Sequence, residues 1–539
     1  MEWNFADVWE AVADTVPDEA AQIHGDRRFS WAEFDRRADG VAAALLAAGL
    51  GRQDKVALDL YNGPEYLEAA FGAMKAGLVP VNTNYRYGPA ELVYLWDNAD
   101  AAAVVFHGEL TDTVAEARKE LPGVRLWLHA DDGTAPCPEW AQPYEDAAAD
   151  KADRTVAPWG RSGDDLLLIY TGGTTGRPKG VMWRQHDMYR ASDTAKDPAE
   201  MDLDHVRARV AAAGSRPVGL PASPLMHGTG YVFAGTILSR GGTVVTARSR
   251  RLDVAELLDL ITRHRVTALS IVGDAFCRPI LDELDAHPGR FDLSSLTAVS
   301  SSGMMWSPEL KQRLLVHAPN ALLVDFLNSS EASGMGRSVT SAKKQASGGR
   351  FRLGENAFVI DDEGNPVEPG SDQVGRLAMK GVLPLGYYKD PEKTAATFPV
   401  VNGVRCSIPG DYARVEADGS VTLLGRGSTS INTGGEKVFP EEVEEALKTH
   451  PDVTDAVVVG VPDPRFGQAV AAMVAVRPDA AVTAPELTEH VRRSLARYKA
   501  PRHVLLVDSV LRSPNGKADY PAIKRRVEEW LAPSLQSGT

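Results

Sequence analysis

At 539 residues the chain is long enough for more than one domain, on a soft prior of roughly 150 residues each, and its 44% hydrophobic and 24% charged content is that of ordinary globular protein. A formal net charge of −15 argues against a general nucleic-acid or anionic-membrane surface, so a site for any phosphorylated ligand must be basic only locally. The three cysteines, Cys137, Cys277 and Cys406, lie far apart without a C-x-x-C pair, which argues against a disulfide framework or zinc site and fits a reducing cytosol.

The N-terminal MEWNFADVWE is acidic and has no basic segment leading into an apolar one, so it does not read as a secretory signal. No apolar run approaches the ~18 residues of a membrane span; Val41–Leu50 reads as an alanine-rich helix. From about Ser30 to Ala102, helical patterns alternate with short apolar strands. The helices are expected over Trp31–Ala48 and Pro64–Ala76, the strands over Lys55–Leu60 and Leu78–Asn82. This rhythm predicts βαβ units and a parallel sheet.

Leu166–Ile169 reads as a buried strand feeding Tyr170–Val181 (YTGGTTGRPKGV). That stretch holds four glycines, three threonines and a lysine. Glycines admit positive φ and close backbone approach. Successive N–H groups in such a turn form an anion-binding concavity, to which threonine hydroxyls and Lys179 add donors and charge. The chemistry suits a polyphosphate. The nucleoside-triphosphatase P-loop, G-x-x-x-x-G-K-[ST], is rejected on spacing, because Gly176 is followed by Arg-Pro-Lys-Gly.

Strand and helix patterns return at Gly241–Ala247, at Ala255–His264 followed by Ala268–Val272, and at Pro308–Ala318 followed by Leu322–Phe326. Pro224–Gly230 (PLMHGTG) carries His227, and a single histidine is packed or exposed more often than catalytic. Ser300–Met304 and Asp325–Glu331 end predicted parallel strands, beyond which open α/β sheets bind ligands. Taken alone, Glu331 is a solvated carboxylate at a helix start.

After about Phe358 the texture changes to short strands with tight turns. Asp361–Asn365 and Asp418–Gly419 are hairpin signals, the second flanked by Tyr412–Val415 and Val421–Leu424. Arg426–Gly435 is polar and small and reads as a hinge. Beyond it, Pro440, Glu441 and Glu442 make a good first helical turn. Strands Ala456–Val461 and Ala469–Val476, a capping box at Thr483–Glu486, a strand Val504–Val507 and a helix near Ala522–Leu531 complete an α/β unit, with a frayed tail from Ala532. Lys517, after Asn515-Gly516, is by itself a solvated turn residue.

Tyr170–Val181 resembles the phosphate loop of the adenylate-forming superfamily, which includes acyl-CoA synthetases, peptide-synthetase adenylation domains and beetle luciferases. The resemblance runs in order through nearly the whole chain. VMWR at Val181–Arg184, GYYKD at Gly386–Asp390, SIPGDYA at Ser407–Ala413 and GRGSTSINTGGEKVFPEEVE at Gly425–Glu444 look most like actinobacterial acyl-CoA synthetases for steroid side chains and other bulky alicyclic acids. It implies an α/β fold: a large N-terminal adenylate-forming domain of layered α/β sheets over 1–426, a small mobile C-terminal α+β lid over 427–531, and a flexible tail over 532–539. The implied chemistry joins a small-molecule carboxylic acid to CoA through an acyl-adenylate, with ATP and Mg2+. A cytoplasmic protein with no nucleic-acid partner and no membrane span is expected, and a homodimer is left open.

The resemblance also assigns residues. Thr171, Gly172, Gly173, Thr174, Thr175, Gly176 and Lys179 hold the ATP β- and γ-phosphates. Ser302, Gly303, Asp325, Phe326, Leu327, Asn328 and Ser330 line the adenylate, Asp325 near the adenine amino group. Asp411 and Arg426 grip the ribose, Glu331 holds magnesium, and Lys517 is the catalytic lysine. His227 shapes the junction between the acyl pocket and the pantetheine tunnel. Ser428 is the hinge, and Gly434, Gly435, Glu436 and Lys437 meet CoA. The acyl pocket draws on His227, Gly228, Val272, Gly273, Ala275, Phe276 and Gly334, and the small residues Gly228, Gly230, Gly273 and Ala275 suggest room for a rigid acid.

Where the family has Tyr-Gly-x-Thr-Glu, this chain has Leu327-Asn328-Ser329-Ser330-Glu331, and Ser428 replaces the usual Asp or Lys. These departures keep open a thioester-forming enzyme supplied with acyl-adenylate by a partner; further alternatives are an adenylation enzyme that loads a carrier protein and, ranked lowest because Lys517, Asp411, Arg426 and Glu331 are all present, a noncatalytic phosphate-binding or scaffold protein.

Overall fold

Alternation of strand and helix in the first part of the chain builds two mostly parallel sheets, as the connection lengths require. The computed structural model describes residues 3–149, 153–171, 177–192, 202–304, 306–343, 349–426, 429–433, 436–463, 466–495, 497–512 and 518–536. Contacts divide the chain into two compact units, Met1–Gly348 with Lys380–Ser407, and Gly349–Met379 with Ile408–Thr539.

In the first unit, one sheet orders its strands Arg27–Ser30, Ala20–His24, Thr243–Thr246, Val218–Pro221, Ala268–Ile271, Ala298–Ser302, Leu322–Ser329 and Ala332–Thr340. The inner strands are parallel, and the first and last run antiparallel to their neighbours. The other sheet orders Gly386–Tyr387, Lys179–Arg184, Leu166–Thr171, Val79–Asn82, Lys55–Asp59, Ala101–His107, Leu126–Ala130 and Gln142–Pro143. It is parallel from Leu166–Thr171 onward, whereas Lys179–Arg184 turns back on it and Gly386–Tyr387, from far along the chain, pairs there too.

Local chemistry sets the helix starts. Ser30 and Glu33 cap Trp31–Ala47 reciprocally. Pro64 and Pro89 open their helices where a missing N–H costs nothing. Val41–Leu50 lies largely within Trp31–Ala47 and buries Val41, Ala42 and Leu45. Sequence reading passed over the N-terminal helix Phe5–Thr15, which Asn4 and Asp7 cap reciprocally. Its Trp9 ring packs 6.1 Å from Phe34 and 5.2 Å from Phe71 in the core.

The second unit holds an antiparallel sheet ordered Ala357–Ile360, Val374–Met379, Asp411–Val415, Val421–Arg426 and Arg350–Leu353. Both expected hairpins are present, closed by the pairs Ile360–Pro366 and Val415–Val421. A further sheet orders Glu436–Val438, Ile431–Thr433, Gly467–Val476 and Val453–Asp463, with His503–Val507 parallel to Gly467–Val476. Strand alternation assigns its faces: Val458 and Ala472 meet helices Pro440–Lys448 and Ala484–Ser494, while Val457 and Met473 meet Ile523, Val527 and Leu531.

Val421–Arg426 packs on helix Pro440–Lys448, with Tyr412 5.4 Å from Phe439, and contacts group them in one unit. The last helix spans Tyr520–Gln536, anchored by Leu531, and so passes the expected start of the tail at Ala532. Among the described residues no helix is long and apolar enough to cross a membrane.

Candidate active site

The strand before the glycine-rich stretch and the strand after it form a hairpin with Thr171 opposite Lys179. Gly172, Gly173, Thr174, Thr175 and Gly176 lie outside the described residues. Asn82 fixes the entry to this loop: its Oδ1 accepts the Tyr170 N–H at 2.7 Å, and its Nδ2 donates to the carbonyls of Tyr170 at 2.9 Å and Met226 at 2.6 Å. The strand entering the glycine-rich stretch and the turn before His227 therefore share one anchor. Lys179 Nζ lies 2.6 Å from Asp390 Oδ2 and 5.8 Å from the centre of the Tyr387 ring. The hydrogen bond from Lys179 holds the Asp390 carboxyl below the usual aspartate range.

Glu331 sits at the turn between Leu322–Ser329 and Ala332–Thr340, where Ser329 pairs with Ala332. The expectation of a helix start is thus corrected: the strand continues past Phe326 and doubles back. Gly334 has φ +85, a conformation that favours glycine, and its N–H donates to Asn328 Oδ1 at 2.7 Å. The side chain that replaces the family glycine is therefore tied into the hairpin. Trp183 Nε1 donates to the Ser330 carbonyl at 2.9 Å, joining this turn to the strand Lys179–Arg184 that leaves the glycine-rich stretch.

Tyr387 donates its hydroxyl to Glu331 Oε1 at 2.8 Å. Among the described residues no other hydrogen bond or ion pair reaches the Glu331 carboxylate, and no cluster of three or more His, Cys, Asp or Glu stands ready to cage a metal. One half-exposed carboxylate with an oxygen to spare fits a magnesium ion that takes its remaining ligands from phosphates and water.

Parallel pairing sets Ser301 opposite Asp325 and Ser302 opposite Phe326. Gly303 follows with φ +89. Asp325 is buried in an ion pair with Lys311, whose ammonium lies 5.5 Å over the Trp306 ring. Burial outweighs the attraction of Lys311 and pushes the Asp325 carboxyl up to about 6. Leu327 is buried, and Ser302, Phe326 and Ser330 are half-buried.

His227 precedes helix Gly228–Ser239 and is half-buried. With Asn82, Gly228 and Tyr231 it borders a cavity of about 20 Å³, room for a single water. The glycines here do two different jobs. A Cβ on Gly228 would meet only Ile169, 4.0 Å away, so that position is open. One on Gly230 would collide with the Pro224 carbonyl oxygen, and Gly273 has φ +53. Gly230 and Gly273 therefore meet a backbone requirement at their positions. The Gly273 N–H donates to Ser301 Oγ at 2.9 Å. Val272 and Phe276 are buried in the apolar core, with Ala275 packed against it.

In the second unit, Asp411 pairs across the sheet with Arg426, whose side chain lies outside the described residues. Gly410 and Gly425 flank them with φ +102 and +105, and a Cβ on Gly425 would collide with the Glu441 carboxylate. Asn432 pairs with Lys437 and Thr433 with Glu436, which makes NTGGEK a hairpin. Ser428, Gly434, Gly435 and Lys517 lie outside the described residues, as do the side chains of Glu436 and Lys437.

Sequence reasoning missed Tyr387, Asp390, Lys311 and Asn82. GYYKD stood out as a phrase without a role; pairing of Gly386–Tyr387 onto Lys179–Arg184 supplies one.

The α/β body that carries Lys179 and Glu331 has the fold of the adenylate-forming enzymes. An anthranilate CoA ligase solved in complex with anthranoyl-AMP matches at TM-score 0.83, 21% identity and 99% coverage of each chain. ATP-bound MatB from Rhodopseudomonas palustris matches at TM-score 0.79 and 25% identity over 98% of this chain and 99% of that one. The AMP-binding enzyme profile matches residues 9–388 and the AMP-binding enzyme C-terminal domain residues 442–517, and the chain belongs to this family. A Mycobacterium tuberculosis medium/long-chain-fatty-acid–CoA/3-oxocholest-4-en-26-oate–CoA ligase is 43% identical over 99% of this chain and 98% of its own. A Rhodococcus rhodochrous 3-oxocholest-4-en-26-oate–CoA ligase is 41% identical over 96% and 95%.

Proposed function

We propose that the chain is an acid–thiol ligase, an AMP-forming acyl-CoA synthetase for a bulky apolar carboxylic acid of the steroid or fatty type. The reaction is carboxylate + ATP + CoA → acyl-CoA + AMP + pyrophosphate. The observation that carries this reading is one tyrosine reaching both halves of a phosphate-handling site: the Tyr387 hydroxyl lies 2.8 Å from Glu331 and its ring 5.8 Å from Lys179. Full-length similarity to CoA ligases for fatty and steroid acids supports the choice of acid and of acceptor.

A carboxylate is a poor electrophile, because resonance and charge resist attack. Joined to AMP it becomes a mixed anhydride with a good leaving group. Bringing two anions together needs preorganised positive charge, usually the largest catalytic contribution. Lys179 serves the β- and γ-phosphates, and Lys517 the α-phosphate and the incoming carboxylate. Glu331 would hold magnesium, and the ion would supply charge neutralisation among the phosphates. Asp411 accepts from the ribose hydroxyls and Arg426 donates there. Rotation about Arg426–Ser428 then withdraws Lys517 and presents the Asn432–Lys437 hairpin to pantetheine, so that the CoA thiol attacks the adenylate. The reading includes a cytoplasmic setting, which suits the wide spacing of Cys137, Cys277 and Cys406 along the chain.

The test separates the half-reactions. Lys517→Ala is expected to lower ATP–pyrophosphate exchange by at least roughly a hundredfold, while thioester formation from supplied acyl-adenylate stays within about twofold. Equal loss of both overturns the two-orientation scheme. Wild-type protein that forms thioester only from supplied adenylate points to a partner that makes it, and one that ignores free CoA points to a carrier protein.

A further inference from the structure

Lys179 and Glu331 come from different strands, yet the short segment Gly386–Asp390 touches both. Tyr387 donates to Glu331 Oε1 at 2.8 Å, and Asp390 meets Lys179 at 2.6 Å. The segment is itself anchored on several sides. Gly386 and Tyr387 pair with Met182 and Val181, on the strand that begins at Lys179. The Tyr387 N–H donates to Thr394 Oγ1 at 2.9 Å, and the ring packs 5.9 Å from Phe398. Asp390 Oδ1 caps helix Pro391–Thr397 through the Lys393 N–H at 2.9 Å, leaving Oδ2 for the lysine.

We propose that Tyr387 and Asp390 are positioning residues: Tyr387 orients Glu331 for the metal that bridges the phosphates, and Asp390 is the resident anion of Lys179 that a polyphosphate replaces. The inference rests on the functional reading above. A carboxylate on a turn has free χ angles, and a charge-assisted hydrogen bond to one oxygen selects an orientation and leaves the other oxygen outward. Lys179 and Asp390 are both partly exposed, and their ion pair holds the ammonium in place until a stronger anion arrives. The two residues therefore act on separable steps, metal-dependent binding and metal-independent binding of the same nucleotide.

The experiment is ATP titration by calorimetry on the full chain, in EDTA and in excess Mg2+ at matched ionic strength. Tyr387→Phe keeps the ring that packs on Phe398 and is expected to weaken binding roughly tenfold in Mg2+ with no change in EDTA, the size set by loss of a hydrogen bond to a charged group. In a Glu331→Gln background the same change should have no further effect. Asp390→Asn retains the helix cap and is expected to tighten binding several-fold in EDTA. Tyr387→Phe that acts equally in both buffers, or not at all, overturns the first assignment; Asp390→Asn that binds ATP unchanged or more weakly overturns the second. Matching thermal unfolding of variants and wild type excludes a folding defect as the cause. Wild type that binds no ATP in either buffer sinks the functional reading itself, and this inference with it.

Discussion

Asp59 ends strand Lys55–Asp59 with its carboxyl fully buried, and no described residue pairs with its Oδ1. Burial alone acts on it and pushes its pKa from 3.8 up to about 7. The folded chain therefore holds this proton more tightly than the unfolded one. The stability that follows is complete below pH ~4 and is lost as pH rises through 7. Asp59→Asn removes that dependence. Relative to wild type, urea stability of the variant should climb by up to about 4 kcal/mol between pH 4 and 8, and parallel pH profiles would refute the assignment. Such a residue is hard to see in a sequence, because an aspartate ending an apolar strand also reads as a turn. Lys179 stands out because charge beside a glycine-rich stretch is informative in one dimension, whereas Glu331 was singled out only by the resemblance. Tyr387 does not stand out: its partner lies on another strand, and nothing in GYYKD says which one.

At the scale of elements, the helix Phe5–Thr15 is held by charge as well as by Trp9. Lys75, fully buried, reaches Glu10 at 2.8 Å, Asp35 at 2.7 Å and Asp39 at 3.0 Å. Arg161 grips both oxygens of Glu10 at 2.7 Å. Burial would raise the Glu10 pKa, but Arg161 and Lys75 outweigh it and hold the group at about 2. Lys75→Met fits the apolar part of the site yet leaves buried carboxylates without their shared cation. The first unfolding transition should lose ~3–5 kcal/mol, read from urea midpoints; a loss below about 1 kcal/mol would mean that the remaining arginines suffice. Between Trp31 and His264 the elements that were read showed helical repeats or short apolar runs, whereas Ala101–His107, Leu126–Ala130, Leu203–Ala212 and Gly228–Ser239 went unread. The N-terminal helix had its signal, Asn4 with Asp7 and apolar residues at Phe5, Val8, Trp9 and Val12. An acidic opening segment judged only for a targeting signal hid it.

For the whole molecule, the legible part was the order of its motifs, and the illegible part was how strands are shared out between units. Composition changes near Phe358 and again at Arg426, but contacts follow pairing: Asp411–Val415 and Val421–Arg426 form one hairpin, and Tyr412 packs on Phe439 of the same unit. A polar, small-residue stretch announces a bend without saying which neighbours move with it. The proposed rotation therefore needs a test that acts on the backbone pivot. Proline fixes φ near −65° and removes an N–H, so Ser428→Pro restricts the bond about which the lid is proposed to turn. With the adenylating orientation retained, ATP–pyrophosphate exchange should stay within about twofold. Thioester formation from supplied acyl-adenylate should fall by more than roughly tenfold, about 1.4 kcal/mol of barrier. Parallel loss of the two half-reactions would place the pivot elsewhere, and unchanged rates in both would mean that the enzyme completes its cycle without turning at this residue.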